Sequence, residues 1–372
     1  MGEPATCALL AVVVLVGCQL SDDGSSSLRD TPSAWPSCEI ELTLSVRVED
    51  AELGPTGATP WVTSNGSRIY VIDIGNQSTI QIFDANTGDF VEEIGRRGQG
   101  PDEYMHLEGI LAVDDTVFLF DGGNSRLAVL NDALQPVRTA RVAVSPSPLQ
   151  PLTWVEGIGL LAIGWSPTPQ GAGLPLHLLA SDGSIVRSFG ASLNEPAGGS
   201  GTFSAWRVAS PTSGPLVWTS RVNRYLIERW DVRDGSLAKR ILIDAPWLDD
   251  AFERGVPVVQ RPPMILSLYE DADGLLWVLV RLNVSDTRSP PRHGEGREGD
   301  LTDFWDLRLD VVDPTTGSII ASHQVPDYAG GLMNNRQLVS FEASNNYGQM
   351  SVYDTDLFCS APRPSRSPRG GT

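Results

Sequence analysis

Long apolar runs are missing from this chain of 372 residues: the longest, Cys7 to Gly17 (CALLAVVVLVG), falls well short of the roughly 20 helical residues that cross a bilayer. A multi-span membrane protein is thereby excluded. Positive charge is also scarce, with 27 Lys and Arg against 46 Asp and Glu and a net charge of -19. Phosphate backbones demand a concentrated positive field, so nucleic acid is not an expected partner. Cysteine, at 4 residues, is too rare for a disulfide-built scaffold. No segment sustains the apolar period of roughly 3.6 residues that marks a long amphipathic helix. What is present is 41% hydrophobic and 20% charged residues, the balance of a globular protein with ample core.

The apolar run has the size of a signal-peptide h-region. It ends in Leu15-Val16-Gly17-Cys18, which resembles the lipobox of bacterial lipoproteins and would make Cys18 the lipidated first residue of the mature chain. The segment before it departs from that pattern, since Met1 to Thr6 holds Glu3 and neither Lys nor Arg. Residues 1–17 then read as a signal peptide and 18–37 as a polar Ser/Asp/Pro tether, whose r.m.s. reach as a coil is roughly 25 Å. The resemblance implies a lipid-anchored protein of the bacterial cell envelope. Because Gln19 rather than Asp follows the cysteine, it implies the outer membrane where the cell has one.

Between the tether and the tail, short β-rich runs bounded by turn signals recur. The clearest unit is Arg68 to Gly95 (RIYVIDIGNQSTIQIFDANTGDFVEEIG), echoed by Thr116 to Val142. Weaker copies follow at Gly159 to Gly190, Pro215 to Ile243 and Gly274 to Val325, with a partial one at Gln337 to Phe358. Short strands precede the units at Trp61, Ile110 to Val113, Leu152 to Val155, Phe203 to Val208 and Ile265 to Tyr269. Each unit thus reads as four antiparallel strands, called a to d from the axis outward, and six such units predict an all-β, six-bladed β-propeller over residues 38–359.

Ring closure follows from what the last unit lacks. After its c strand only Ser360 to Thr372 (SAPRPSRSPRGGT) remains, a Pro-rich stretch that reads as a disordered tail. Glu39 to Val48 (EIELTLSVRV) alternates apolar and polar residues ahead of the first blade, so it is expected to supply the missing d strand. That sets Cys38 beside Cys359 where other blades have a c-d turn. A disulfide there would stabilise the ring by roughly 4 to 5 kcal/mol in the chain-entropy model; two free thiols are the alternative.

Ile94 to Asn131 (IGRRGQGPDEYMHLEGILAVDDTVFLFDGGNSRLAVLN) carries a second resemblance. Gly-Arg-Arg-Gly-Gln-Gly-Pro-Asp-Glu-Tyr, an apolar strand, then Phe-Asp-Gly-Gly-Asn-Ser-Arg-Leu is similar to the NHL-repeat pattern of bacterial six-bladed propeller lipoproteins. The resemblance implies the fold and a broad role only, because propellers host lyases, lactonases, cyclases and inert scaffolds. It also implies that Asp73 and Asn76, and Asp121 and Asn124, bond local backbone in the b-c turns.

In such a blade the d-a and b-c connections leave one face and the a-b and c-d turns the other. All long connections here belong to the first set: Arg96 to His106, Trp165 to Leu174, Ala191 to Thr202, Asp244 to Pro263, Asn283 to Asp303 and Pro326 to Asn334. Long connections on a rigid scaffold carry function, which nominates this face for binding. Its candidates are Arg96, Arg97, Tyr104, His106 and Glu108 at the first blade junction, with Trp247, Asp249, Arg254, Arg292 and His293 in the longest connections.

Catalytic patterns are thin. The 4 histidines, His106, His177, His293 and His323, fall in different blades, too dispersed for a three-His zinc centre. Asp271-Ala272-Asp273-Gly274 opens like a calcium loop but lacks the Glu at the twelfth position, and reads as a β-turn. Gly157 to Ala162 matches a dinucleotide fingerprint by letters but joins two strands, and there is no Gly-x-Ser-x-Gly elbow. Trp61, Trp154 and Trp206 recur in a strands as expected core. Two functional classes follow. The favoured one is a membrane-anchored, non-catalytic module binding a protein, peptide or glycan, with no cofactor beyond a structural calcium. The alternative is a metal-dependent, lactonase-like hydrolase or lyase at the channel mouth, for which only His106 and Glu108 stand at the start of an a strand.

Overall fold

The computed structural model describes residues 38–48, 61–72, 76–147, 150–167, 173–190, 207–212, 214–222, 224–245, 264–283, 305–325, 328–333, 336–343 and 348–360. The described chain begins with β1 (Cys38–Val48). Blade one is β2 (Trp61–Ser64), β3 (Arg68–Ile72), β4 (Ile80–Asp84) and β5 (Phe90–Ile94). Two short strands, β6 (Arg96–Arg97) and β7 (Glu103–Tyr104), pair in parallel within the next connection. Blade two is β8 (Leu107–Val113), β9 (Thr116–Asp121), β10 (Arg126–Leu130) and β11 (Pro136–Arg141). After β12 (Ser145–Pro146), blade three is β13 (Leu152–Val155), β14 (Gly159–Trp165), β15 (Leu176–Leu179) and β16 (Ile185–Phe189). Blade four is β17 (Arg207–Pro211), β18 (Leu216–Arg221), β19 (Leu226–Asp231) and β20 (Leu237–Leu242); blade five is β21 (Met264–Glu270), β22 (Leu276–Asn283), β23 (Trp305–Asp313) and β24 (Ser318–Val325). Blade six is β25 (Tyr328–Met333), β26 (Gln337–Ala343), β27 (Gly348–Cys359) and, outermost, β1.

The chain is therefore a six-bladed, all-β propeller with four antiparallel strands per blade. The inner strands β2, β8, β13, β17, β21 and β25 neighbour one another in turn, and β25 returns to β2. One reading of the sequence needs correction: 326–334 is not a long connection. Two residues, 326–327, link β24 to β25, whose ladder runs from Tyr328 opposite Phe341 to Met333 opposite Gln337. The Tyr-Ala-Gly-Gly-Leu-Met strand escaped notice because its paired glycines break apolar alternation.

Packing between blades explains the composition. Blade interiors are apolar on both faces because each sheet is covered twice: Ile72, Ile80 and Ile82 of blade one meet Ile110, Leu119 and Leu130 of blade two. Phe118, Phe120 and Val129 meet Leu152, Leu160 and Leu179 of blade three in the same way, and Ile163 and Phe189 meet Val217 and Trp230 of blade four. Each such side chain contributes roughly 1.5–3 kcal/mol when fully buried. Trp154 stacks on Phe118 at 5.7 Å between centroids, and Trp61 packs against the first cluster, so both serve the core; Trp206 lies outside the described residues. Between inner strands, hydroxyls staple neighbours: Thr63 accepts from the Ala112 N–H (3.1 Å), Ser210 from Glu270 (2.8 Å) and Ser267 from Leu332 (3.2 Å).

β1 closes the ring as the d strand of blade six, in register with β27 from Cys38 opposite Cys359 to Val48 opposite Met350. A disulfide joins the two cysteines across a sequence separation of 321. All six c-d ladders carry a register shift, in β1 between Leu44 and Val46 and in the other five within the last two pairs before the c-d turn, which increases the local twist.

Candidate functional site

Strand order fixes which connections share a face. None of the a-b and c-d turns exceeds five residues, whereas the d-a and b-c connections include 190–206, 243–263 and 284–304. The first face is therefore flat and the second is where added chain accumulates. Trp247, Asp249, Arg254, Arg292 and His293 belong to those long connections and lie outside the described residues, as do Cys18 and Asp73.

Among the described residues of this face, the longest continuous connection is the one from blade one to blade two. Its glycines let Gln99 and Gly100 turn their N–H groups inward, and both donate to Glu103 Oε2, at 3.1 and 2.9 Å. Arg96 adds a bond from Nε at 3.0 Å. The Gly100 N–H first, then Arg96 and the Gln99 N–H, hold the Glu103 carboxyl below its ordinary range. A backbone pocket of the kind that cradles anions is thus filled by the protein's own carboxylate.

Blade two grips this loop from below. Asp121, fully buried at the end of β9, accepts the N–H groups of Met105 and His106 at Oδ1, both at 3.2 Å, and Asn124 (2.6 Å) and Arg126 Nε (3.0 Å) at Oδ2. Asn124 also donates to the Gly98 carbonyl, and Arg126 to the carbonyls of Gln99, Gly100 and Glu103. Asp121 and Asn124 bond each other's side chains rather than the local turn backbone expected, and their backbone bonds clamp Gly98, Met105 and His106, 15 to 26 residues upstream, with Arg126 as the third jaw, a role the repeat pattern did not reveal. Asn76 donates to the Thr79 side-chain hydroxyl Oγ1 at 2.9 Å, a local bond but not the backbone bond expected.

This clamp sorts the candidate residues. Tyr104 is not available on the surface: its ring is 2% exposed beneath the Arg126 guanidinium, and burial pushes its hydroxyl up to about 12. It anchors the loop. Arg96 is exposed but paired with Glu103 at 2.9 Å, while Arg97 is exposed and forms no ion pair with a described residue. His106 and Glu108 come together at the entrance of β8, Nε2 to Oε1 at 3.7 Å. Burial pushes the Glu108 carboxyl up, His106 opposes the shift and Asp121 adds to it. Glu108 is the extra residue of a bulge in β8 and packs against Gly122, where a Cβ would fall 2.1 Å from its oxygen. Among the described residues no three His, Cys, Asp or Glu converge to hold a metal ion.

Both β12 and β13 pair with one edge of β14, where Ser147 donates its N–H to the Ile163 carbonyl and Ile163 donates its own to the Pro151 carbonyl, both at 2.8 Å. Gln150 fastens this edge to blade four, donating to the Ala209 carbonyl at 2.6 Å and accepting the Ala209 N–H at 2.9 Å; Pro151 lies where a Cβ on Gly109 of blade two would be. The remaining motif readings resolve structurally. His177 and His323 sit in β15 and β24, Asp271 to Gly274 forms a turn capped by the Asp271 carboxylate, and Gly157 and Gly159 make the hairpin between β13 and β14.

A family model described as DUF5128, 6-bladed beta-propeller, matches residues 56–152, which hold the first two blades and the clamped connection. No curated protein matches the chain. Among solved structures, a member of the DUF4221 family from Bacteroides vulgatus shares 11% identity at a TM-score of 0.57, covering 87% of this chain and 99% of that one. A putative exported protein from Bacteroides fragilis shares 11% at 0.53, covering 87% and 96%. The likeness is one of fold. Both neighbours are bacterial propellers, and neither assigns a ligand.

Proposed function

We propose that this protein is a lipid-anchored module of the bacterial cell envelope that binds a protein, peptide or glycan through its long-connection face, without catalysis. The observation that carries the reading is the asymmetry of the two faces: one has only tight turns and the other gathers every long connection onto a rigid ring. The clamp fits that reading, because Asp121, Asn124, Arg126 and Glu103 are spent on holding a loop in place. Cys18, through its lipobox-like setting, supplies the anchor, in the outer membrane where one is present.

The test places a photo-crosslinking residue in living cells at Arg97 or within 284–304, and on the opposite face at Asn86 or Asp182. A discrete crosslinked product from the first two positions alone is the expected result. Equal crosslinking from both faces, or none, would remove the support for a dedicated binding face.

A further inference from the structure

We propose that the pole where Cys38 and Cys359 meet is the membrane-facing surface of the anchored protein, so that the long-connection face is turned away from the bilayer. This rests on the reading that Cys18 carries the lipid. Three features of the described residues lead to it. First, β1 enters the fold at the flat face: Cys38 takes the place of a c-d turn, and Val48 ends at the opposite face. The tether is therefore attached at the flat pole, at the rim of blade six.

Second, the two poles stand at different distances from that attachment: the 11 residues of β1 run from the attached pole toward the far face, roughly 35 Å at about 3.4 Å per residue. A body held this way brings the attached pole to the bilayer more often than the far one. The attached pole is also flat enough to approach closely, since its turns are five residues or fewer.

Third, the disulfide lies at the point where the tether would pull. A force on Cys38 would otherwise peel β1 from β27 one pair at a time, starting from Cys38 and Cys359, and each released pair would lengthen the tether and open the ring. The bond between those two residues transfers the pull to β27, which continues through the ladder with β26 into blade six. Closure of the propeller and attachment of the anchor are served by one covalent link.

The experiment uses the full lipidated chain in vesicles of phosphatidylethanolamine and phosphatidylglycerol carrying a headgroup-linked acceptor dye. A donor is attached through a non-natural residue, leaving the cysteines intact, at Asn86 on the flat pole or Arg97 on the far face, both exposed. Energy transfer should be at least about twofold stronger from Asn86, given the offset between the poles. Equal transfer, or stronger transfer from Arg97, overturns the orientation. Flotation is read in parallel: if the wild-type chain floats no better than Cys18→Ser, the anchor itself is refuted and the orientation falls with it.

Discussion

His177 shows what burial does to a single ionisable group in this fold. Its ring is fully buried in β15; Nε2 faces the Gly164 carbonyl at 3.3 Å and so carries the hydrogen, leaving Nδ1 to accept from the Ser188 hydroxyl at 2.8 Å. Desolvation lowers its pKa from 6.5 to about 4. The folded state therefore keeps the neutral ring while the unfolded chain takes up a proton below pH 6.5, and stability is lost as pH falls from there toward 4. At pH 5 the loss from this group should be about 2 kcal/mol. Denaturant titrations at pH 7.5, 6 and 5 are expected to show that decline in the wild type; a His177→Gln variant should be weaker at pH 7.5 but lack the step. A step of equal size in the variant would assign it to other groups.

Asp121 makes the complementary point, a charge kept because it is fully used. Asp121→Ala would strand the Arg126 guanidinium, 11% exposed, and two loop N–H groups, and should cost about 3–5 kcal/mol. Asp121→Asn keeps an acceptor for Met105 and His106 but loses the ion pair, so an intermediate loss is expected. Faster amide exchange at those two residues in both variants would locate the damage in the connection. Unaltered exchange would mean that the loop is held without Asp121, by Tyr104 and the carbonyl bonds from Asn124 and Arg126.

Among the elements, the c-d turns repeat one device around the ring. Asp84, Asp231 and Asp313 each accept a backbone N–H two residues ahead, and a glycine near +80° in φ completes the turn. That glycine also docks on the preceding blade: a Cβ on Gly88 would stand 2.3 Å from the Arg47 carbonyl of β1, and one on Gly183 would stand 2.4 Å from the Arg141 carbonyl of β11. Gly66 has a similar φ of +90 with nothing within 4 Å. Gly66→Ala should therefore cost only the backbone penalty of about 1 kcal/mol, whereas Gly88→Ala must also displace blade six from blade one and should cost clearly more. Equal losses in thermal unfolding would show that inter-blade contact at this turn carries no weight.

These turns also explain what could be read ahead of the fold. Asp-x-x-Thr-Gly punctuation and alternating strands such as Arg-Ile-Tyr-Val-Ile are local signals, so blades, turn faces and the closing strand were legible in the sequence. β25 was not, because Ala329-Gly330-Gly331 lacks alternation, and β6 with β7 was hidden inside a polar connection. The site was less legible still. Tyr104 stood out as a surface candidate because its burial depends on Arg126, and Arg126 acts through carbonyls whose positions only the ring arrangement creates.

At the scale of the molecule the propeller is a circle closed by its first strand, so its stability depends on one seam. Two links hold it: the β1–β27 ladder and the disulfide. In the chain-entropy model a loop of this size is worth about 5 kcal/mol, while β1 itself buries Ile40, Val46 and Val48, at roughly 1.5–3 kcal/mol each. The two links should therefore fail differently. Replacing both Cys38 and Cys359 by Ser leaves the ladder intact, and the expected result is a lower unfolding temperature with unchanged near-ultraviolet circular dichroism. Deleting 38–48 removes both links and leaves β27 as an open edge, with Met350 and Val352 uncovered. Loss of a single cooperative calorimetric transition is expected there, and adding back a peptide of residues 38–48 should partly restore it. A deletion variant that melts like the wild type would show that the ring is sealed elsewhere, since an open row of six blades has five inter-blade contacts to lose from one end inward and no covalent stop.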